Sequence, residues 1–261
     1  MSHFLFSLTL WQLSLVVLGI ALGTGLICSV GIRKLFRLSP TDQEADVAID
    51  LMQVASTYIG ILLAFAGVLA WQDYKDAVVS IQQEASAASQ LYRDLTIYGP
   101  ETEGVRKDLR VYVVSVVNDE WPLLREGKRS QVTETALLRL FEHVGAIEPV
   151  SERQITIYNE VFTAINGLVA LRRQRLSASR AEIPTVLWIV ALAGSMLTIA
   201  YASAFTNSRY SSLMVSGVSL TIGLLFLFLL SVDNPFKGRG EVSSGELAEL
   251  PAIFDQIDRF R

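Results

Sequence analysis

The sequence predicts an all-α integral membrane protein with four transmembrane helices in a two-plus-two layout and a helical extramembrane domain between spans two and three. Three observations predict it. Four long apolar runs, residues 8–32, 54–71, 184–205 and 213–232, contain no Lys, Arg, Asp or Glu. About 20 mostly apolar residues suffice for a helix to cross a bilayer core of about 30 Å. The stretch 72–183 is polar, with apolar residues recurring every three or four positions, which is the period of a helix face. No stretch alternates with the period of two that marks a half-buried strand.

Composition excludes several functions. Hydrophobic residues make up 51% of the chain and the mean hydropathy is +0.40, but this content is gathered in four blocks rather than one soluble core. A net charge of −4 offers no basic face to neutralise nucleic-acid phosphates, so no nucleic-acid partner is expected. The single cysteine, Cys28, cannot form an intrachain disulfide. His3 and His143 stand far apart without Cys or carboxylate at ligand spacing, so no metal and no cofactor are expected. There is no nucleophile elbow, phosphate loop, HExxH or paired-cysteine motif. The chain is therefore not read as an enzyme and no catalytic residue is assigned.

Residues 1–71 form the first pair of spans, with a polar connector at 33–53. The first run is longer than a signal peptide core, has no positive residue before it and has Arg33-Lys34-Leu35-Phe36-Arg37 after it, so it is read as a retained helix. Gly19 and Gly23, and Ala21 and Gly25, place small residues four apart, a spacing that lets helices approach closely in lipid. In the connector, Ser39-Pro40 suits a helix start and Thr41 with Glu44 could form a capping box, which suggests a short surface helix. The second span begins near Val54. It has no Gly or Pro from Ala70 to Tyr98 and continues as Val78, Ile81, Ala85, Ala88, Leu91 and Leu95. One long helix running from the membrane into water is predicted.

The helical domain, 72–183, resumes after a break at Gly99-Pro100. Helix 101–125 presents Val105, Leu109, Tyr112, Val113, Val116 and Val117 and is interrupted at Trp121-Pro122. Helices 132–144 and 152–179 follow, the second with a predicted core face of Ile155, Tyr158, Phe162, Ile165, Leu168 and Leu171. Residues 184–232 form the second pair of spans, joined by a tight polar turn at 206–211, and 233–261 read as a polar C-terminal tail.

Four spans put both termini and the helical domain on one side. That side carries Lys75, Arg172, Arg173, Arg175, Arg180, Lys237 and Arg239 near the membrane, against Arg33, Lys34, Arg37 and Arg209 opposite. The positive-inside rule then places the domain and termini in the cytoplasm. The first span alone, with positive residues only after it, favours the reverse.

The spans carry no ionisable residue except at their ends, which argues against a proton-coupled transporter. A passive pore needs only a lined channel, a constriction and charged vestibules. Thr57, Ile61, Ala64, Phe65 and Leu69 on the second span are the pore-lining candidates. A hydrophobic neck there could gate by dewetting, with Phe65 the best single choice of constriction. The alternative for each residue is a contact with lipid or a neighbouring helix. Glu84, Glu120, Arg172 and Arg175 are the candidates for a charged network, since a buried charge needs a partner. For the arginines the alternatives are an anion-attracting vestibule and a basic anchor at lipid head groups; the anchor is preferred to the vestibule.

Several collinear segments resemble the bestrophin-like domain family of bacterial and plant membrane proteins. They are Gln83-Glu84-Ala85, Tyr112, Glu120-Trp121-Pro122, Arg172 with Arg175-Leu176 before Ile183-Pro184, and Asp233-Asn234-Pro235-Phe236-Lys237-Gly238, spread over residues 10–245. The chain is more loosely similar to true bestrophins. That resemblance implies a homo-oligomeric ion channel, pentameric, in a bacterial inner (plasma) membrane, with membrane lipid and inorganic ions as partners and the second spans around the axis. In bestrophins an Asn-Pro-Phe-Gly stretch leads into an acidic calcium clasp. Here Asn234-Pro235-Phe236 is followed by Lys237-Gly238-Arg239-Gly240, so no calcium site of that type is expected. The alternative is a non-conducting membrane scaffold or sensor acting through its helical domain.

Overall fold

The computed structural model describes residues 9–36, 42–204, 209–237 and 241–259. The Ser39-Pro40 start, the Thr41–Glu44 capping box, the turn near 206 and the Gly238-Arg239-Gly240 stretch fall on residues outside these, as do Arg37 and part of the charge count used for orientation. The described residues form helices and no strand. In chain order these are α1 (Leu10–Phe36), α2 (Asp42–Tyr98), α3 (Glu103–Ser115), α4 (Trp121–Leu124), α5 (Gln131–Gly145) and α6 (Glu152–Ala178), followed by α7 (Thr185–Ala204), α8 (Arg209–Val232), α9 (Gly245–Ala248) and α10 (Leu250–Arg259). A 3₁₀ turn at Pro100–Thr102 precedes α3, and a π turn at Val116–Glu120 follows it.

Four helices are long and apolar enough to cross a membrane: Leu10–Gly31, Ile49–Tyr98, Thr185–Ala204 and Tyr210–Val232. The predicted connector is corrected in part. Residues from Asp42 onward already belong to α2, which runs unbroken for 57 residues. At about 1.5 Å per residue it is about 85 Å long. A helix can continue past the bilayer on polar residues, and nothing between Asp42 and Val54 breaks it.

Two compact units share the chain. The membrane unit draws on Met1–Gln72 and Glu182–Asn234. In it α1 packs mainly on α8 and also on α7. A Cβ added at Gly25 would lie 2.6 Å from the Ser219 hydroxyl, and one at Gly223 would lie 2.6 Å from the Ala21 Cβ. The Ala21/Gly25 face is thus the one used for close approach, while Cβ atoms at Gly19 and Gly23 would meet nothing within 4 Å. Leu63 and Ala66 of α2 pack with Ala191, Phe226 and Leu229.

The extramembrane unit comprises Asp73–Ala181 with Pro235–Lys237 and Glu241–Arg261. Gly99, at φ 149°, ends α2 in a backbone region that favours glycine. The Thr102 hydroxyl reaches back to the Leu95 carbonyl at 2.5 Å, satisfying one of the acceptors a helix end leaves open. Ser130 and Ser151 cap α5 and α6 by accepting N–H groups from Thr133 and Gln154. The predicted faces of α2 and α3 are the buried ones, including Leu91, Leu95, Leu109, Tyr112 and Val113.

Two expectations change here. On α6 the buried stripe is Val161, Ala164, Ile165, Leu168, Arg172, Arg175 and Leu176, whereas Ile155 and Phe162 are exposed. The true face contains two arginines, which a hydrophobic pattern cannot count as core. The segment read as a tail is also folded in. Phe236, Val242, Leu247, Leu250 and Phe254 are buried in the unit's core, and the Phe254 ring stacks on Tyr92 at 4.1 Å.

Candidate functional site

The membrane stretch of α2 has one covered and one open face. Leu63, Ala66 and Ala70 are buried, and Gly67 lies against the Phe228 ring, where a Cβ would sit 3.2 Å from it. Thr57, Ile61, Ala64, Phe65 and Leu69 all lie on the exposed side, with Phe65 66% exposed. Among the described residues, no helix covers that stripe. The Thr57 hydroxyl is occupied by its own helix, donating to the Gln53 carbonyl. Exposed positions at the same spacing continue along the helix through Gln72, Asp76, Val79, Gln83, Ser86 and Gln90, which are mostly polar and include one carboxylate.

The four charged candidates meet in the extramembrane unit. Arg175 Nε donates to Glu84 Oε2 at 2.6 Å, and its Nη2 donates to Glu84 Oε1 at 3.1 Å and to Glu120 Oε2 at 2.9 Å. Arg172 grips Glu120 with a parallel fork, Nη2 to Oε1 at 2.7 Å and Nε to Oε2 at 3.2 Å. This two-bond geometry is the strong form of the arginine–carboxylate contact. Arg172 Nη1 also donates to Glu134 Oε2 at 2.8 Å, and the Tyr112 hydroxyl donates to Glu84 Oε1 at 2.9 Å. Side chains of Glu84, Glu120 and Arg175 are fully buried.

Local structure explains how Glu120 arrives there. Pro122 has no N–H and its ring crowds the carbonyl four residues back. The chain answers with a π turn, closed by the Trp121 N–H donating to the Val116 carbonyl. Such wide turns often occur at functional positions. Trp121 then lies 5.7 Å under the Arg175 guanidinium, within cation–π range. That contact faces a group whose Nη1 has no hydrogen-bond partner.

The charges are mutually sustaining. Burial alone would raise the Glu120 carboxyl, but the Arg172 and Arg175 guanidiniums outweigh it and hold it below the usual carboxylate value. Burial pulls Arg175 down, and Glu84 foremost among its neighbours more than restores it. Tyr112 is pushed well above the ordinary phenol value, first by burial and then by the Glu84 charge. The side chains of Arg172 and Arg175 are buried rather than open to solvent. Arg175 is held by Glu84 and Glu120, and Arg172 by Glu120 and Glu134. The sequence reading did not include Glu134 or the donor role of the Tyr112 hydroxyl.

Together these features define an all-helical, four-span membrane protein whose extramembrane helices are tied by a buried charge cluster. The chain belongs to the bestrophin-like family: the Bestrophin-like domain profile matches residues 19–247. Solved structures share the fold. The bestrophin homologue of Klebsiella pneumoniae is similar with a TM-score of 0.67 at 13% identity, over 94% of this chain and 96% of that one. A single-residue threonine variant of that homologue gives a TM-score of 0.68 at 13% identity, with the same coverage. A further membrane-protein crystal structure gives 0.66 at 14% identity, covering 94% of this chain and 96% of the other. No curated protein matches the chain.

Proposed function

We propose that this protein is a homo-oligomeric ion channel, a pentamer, in which ions pass along an axis lined by α2. The observation that carries this reading is the open face of α2. A helix of 57 residues keeps one side packed by its own chain. It leaves Thr57, Ile61, Ala64, Phe65 and Leu69 uncovered in the membrane, followed by mostly polar positions beyond it. Four spans are too few to enclose a wide pore alone, so copies arranged in a ring would supply the wall. The apolar stripe would form a neck that blocks ions unless wetted. Family membership supports the reading, as does the fold shared with bestrophin homologues.

The proposed setting is a bacterial inner membrane, with the helical unit and both termini cytoplasmic, as the Lys and Arg count favours. The reading assigns no chemistry to any residue, and the protein would act without being an enzyme.

Planar-bilayer recording of the purified protein tests this. Wild type is expected to give discrete single-channel currents, and Phe65→Ala, which shortens the bulkiest member of the stripe, is expected to raise conductance or open probability several-fold. Native mass spectrometry of the same sample should give five copies of the 28.8 kDa chain. Silence from both proteins, with the ring intact, would favour the scaffold or sensor reading. Currents indifferent to Phe65→Ala would remove α2 from the axis.

A further inference from the structure

Away from the charge cluster, the extramembrane unit contains a cavity of about 410 Å³ where the end of α2 and the start of α3 face the end of α5. That volume lies within the usual range for small-molecule sites, roughly 300–1,000 Å³. Its apolar surface comes from Val105, Ile147 and Val150, and its acidic groups are Glu101 and Glu148. Among the described residues of the lining there is no lysine or arginine.

Tyr98 makes this more than an acidic hollow. The residue is only 7% exposed and lines the cavity, yet its hydroxyl has no hydrogen-bond partner. A buried polar group left unpaired costs free energy, and native structures rarely leave one so. Glu101 is steered by its neighbours. Gln154 accepts the Val150 N–H at 3.0 Å through Oε1 and donates through Nε2 to Glu101 Oε1 at 3.4 Å. His143, also on the lining, is held by Asp108 at 2.5 Å. Gly104 adds room, since a Cβ there would meet nothing within 4 Å.

We propose that this cavity is a binding site for an alkylammonium ligand of the polyamine class. The methylenes would lie on Val105, Ile147 and Val150. One ammonium would donate to the Tyr98 hydroxyl oxygen and the Glu101 carboxylate, and a second would reach Glu148. The chemistry of the lining selects this class: two carboxylates with no lysine or arginine beside them, and with His143 already held by Asp108, call for cationic groups, and the apolar surface calls for the carbon chain between them. The site does not depend on whether the protein conducts ions.

Isothermal titration of the full-length protein in detergent, with spermidine as probe, tests the proposal. Wild type should bind saturably, one spermidine per subunit. Tyr98→Phe removes only the hydroxyl and should weaken binding about ten-fold, the loss expected for one charge-assisted hydrogen bond. Glu101→Gln and Glu148→Gln should weaken it at least as much. Unchanged melting temperatures for the three variants would separate lost binding from lost folding. Absence of saturable binding to wild type overturns the proposal. Equal affinity in Tyr98→Phe does so as well, as does an isotherm that MgCl₂ reproduces at matched ionic strength, which would mark mere charge screening.

Discussion

Two ion-pair clusters stand in the same unit and differ in one respect, their access to water. Around Arg175, the Glu84 and Glu120 carboxylates are fully buried. Around Asp258 the pairs are half open: Asp258 takes Arg106 Nη1 at 2.6 Å and Arg110 Nη2 at 3.0 Å, with 39% of its own side chain exposed. The Tyr92 hydroxyl also donates to Asp258 at 2.7 Å, and Arg110 stacks over the Tyr92 and Phe254 rings. The chemistry is the same and the consequence of disturbing it is not. In the buried cluster each charge depends on the others, because water cannot replace a lost partner. In the clasp that docks α10, solvent can at Asp258 and Arg110, though not at the buried Arg106, and packing of Phe254 shares the work.

The comparison breaks most sharply at Arg175. Arg175→Met would leave the buried Glu84 carboxylate with the Tyr112 hydroxyl alone and take one of three bonds from Glu120, and should cost about 3–5 kcal/mol. For a chain of this size that is a fall in melting temperature of roughly 10 °C, readable by thermal unfolding in detergent. A melting temperature within a degree or two of wild type would mean that water reaches the cluster.

Acid should weaken both clusters in the same direction, since Asp258 like Glu120 is held below its ordinary value by its partners, and a Glu120 variant isolates the buried share. The folded-state value of Glu120 lies below its unfolded one, so its contribution is complete above the unfolded value. That contribution fades as pH falls through the folded one. Melting temperature should therefore drop as pH is taken below the ordinary carboxylate range. Glu120→Gln, already destabilised at neutral pH, should show a shallower drop. Parallel curves for the two proteins would assign the acid limb to other carboxylates.

The smallest effect belongs to the clasp. Asp258→Asn should cost about 1–2 kcal/mol, because Asp258 and Arg110 stay open to water while Arg106 is buried. The cost should shrink further between low salt and 1 M salt, where the screening length is about 3 Å. Arg175→Met should keep nearly all of its deficit in the same salt series. Equal salt sensitivity would erase the distinction between the clusters.

This contrast also explains what could be read in advance. The four spans were plain because a bilayer demands unbroken apolar runs, and α3 was plain because its buried residues are mostly apolar at helical spacing. The face of α6 was not, because Arg172 and Arg175 look like surface residues until partners far away in sequence, such as Glu84 and Glu120, are placed beside them. The α10 segment was readable in principle: Leu250, Phe254 and Ile257 repeat every three or four residues, but amid too many charges to stand out. Similarly, the polar residues after Asp42 concealed the true start of α2, although no Gly or Pro interrupts them. The open stripe of α2 was legible as a set of residues; its being uncovered was not, since only the packing of Leu63, Ala66 and Gly67 fixes which side remains open.

The π turn at Val116–Glu120 also sets how this part of the chain tolerates changes in length. Val116, Glu120 and Leu124 are all buried, yet they lie four apart. A regular helix advances about 100° per residue, so eight residues would carry Leu124 about 80° around from Val116. The wide turn absorbs that drift and keeps both Glu120 and Leu124 pointing inward. Loss of one residue here would shift the phase of everything up to Leu124, turning a carboxylate out of its salt bridges and a leucine out of the core together. The loop around Gly127 has no such phase to keep. Single-residue insertions and deletions should therefore accumulate there and be purged from the turn a few residues earlier.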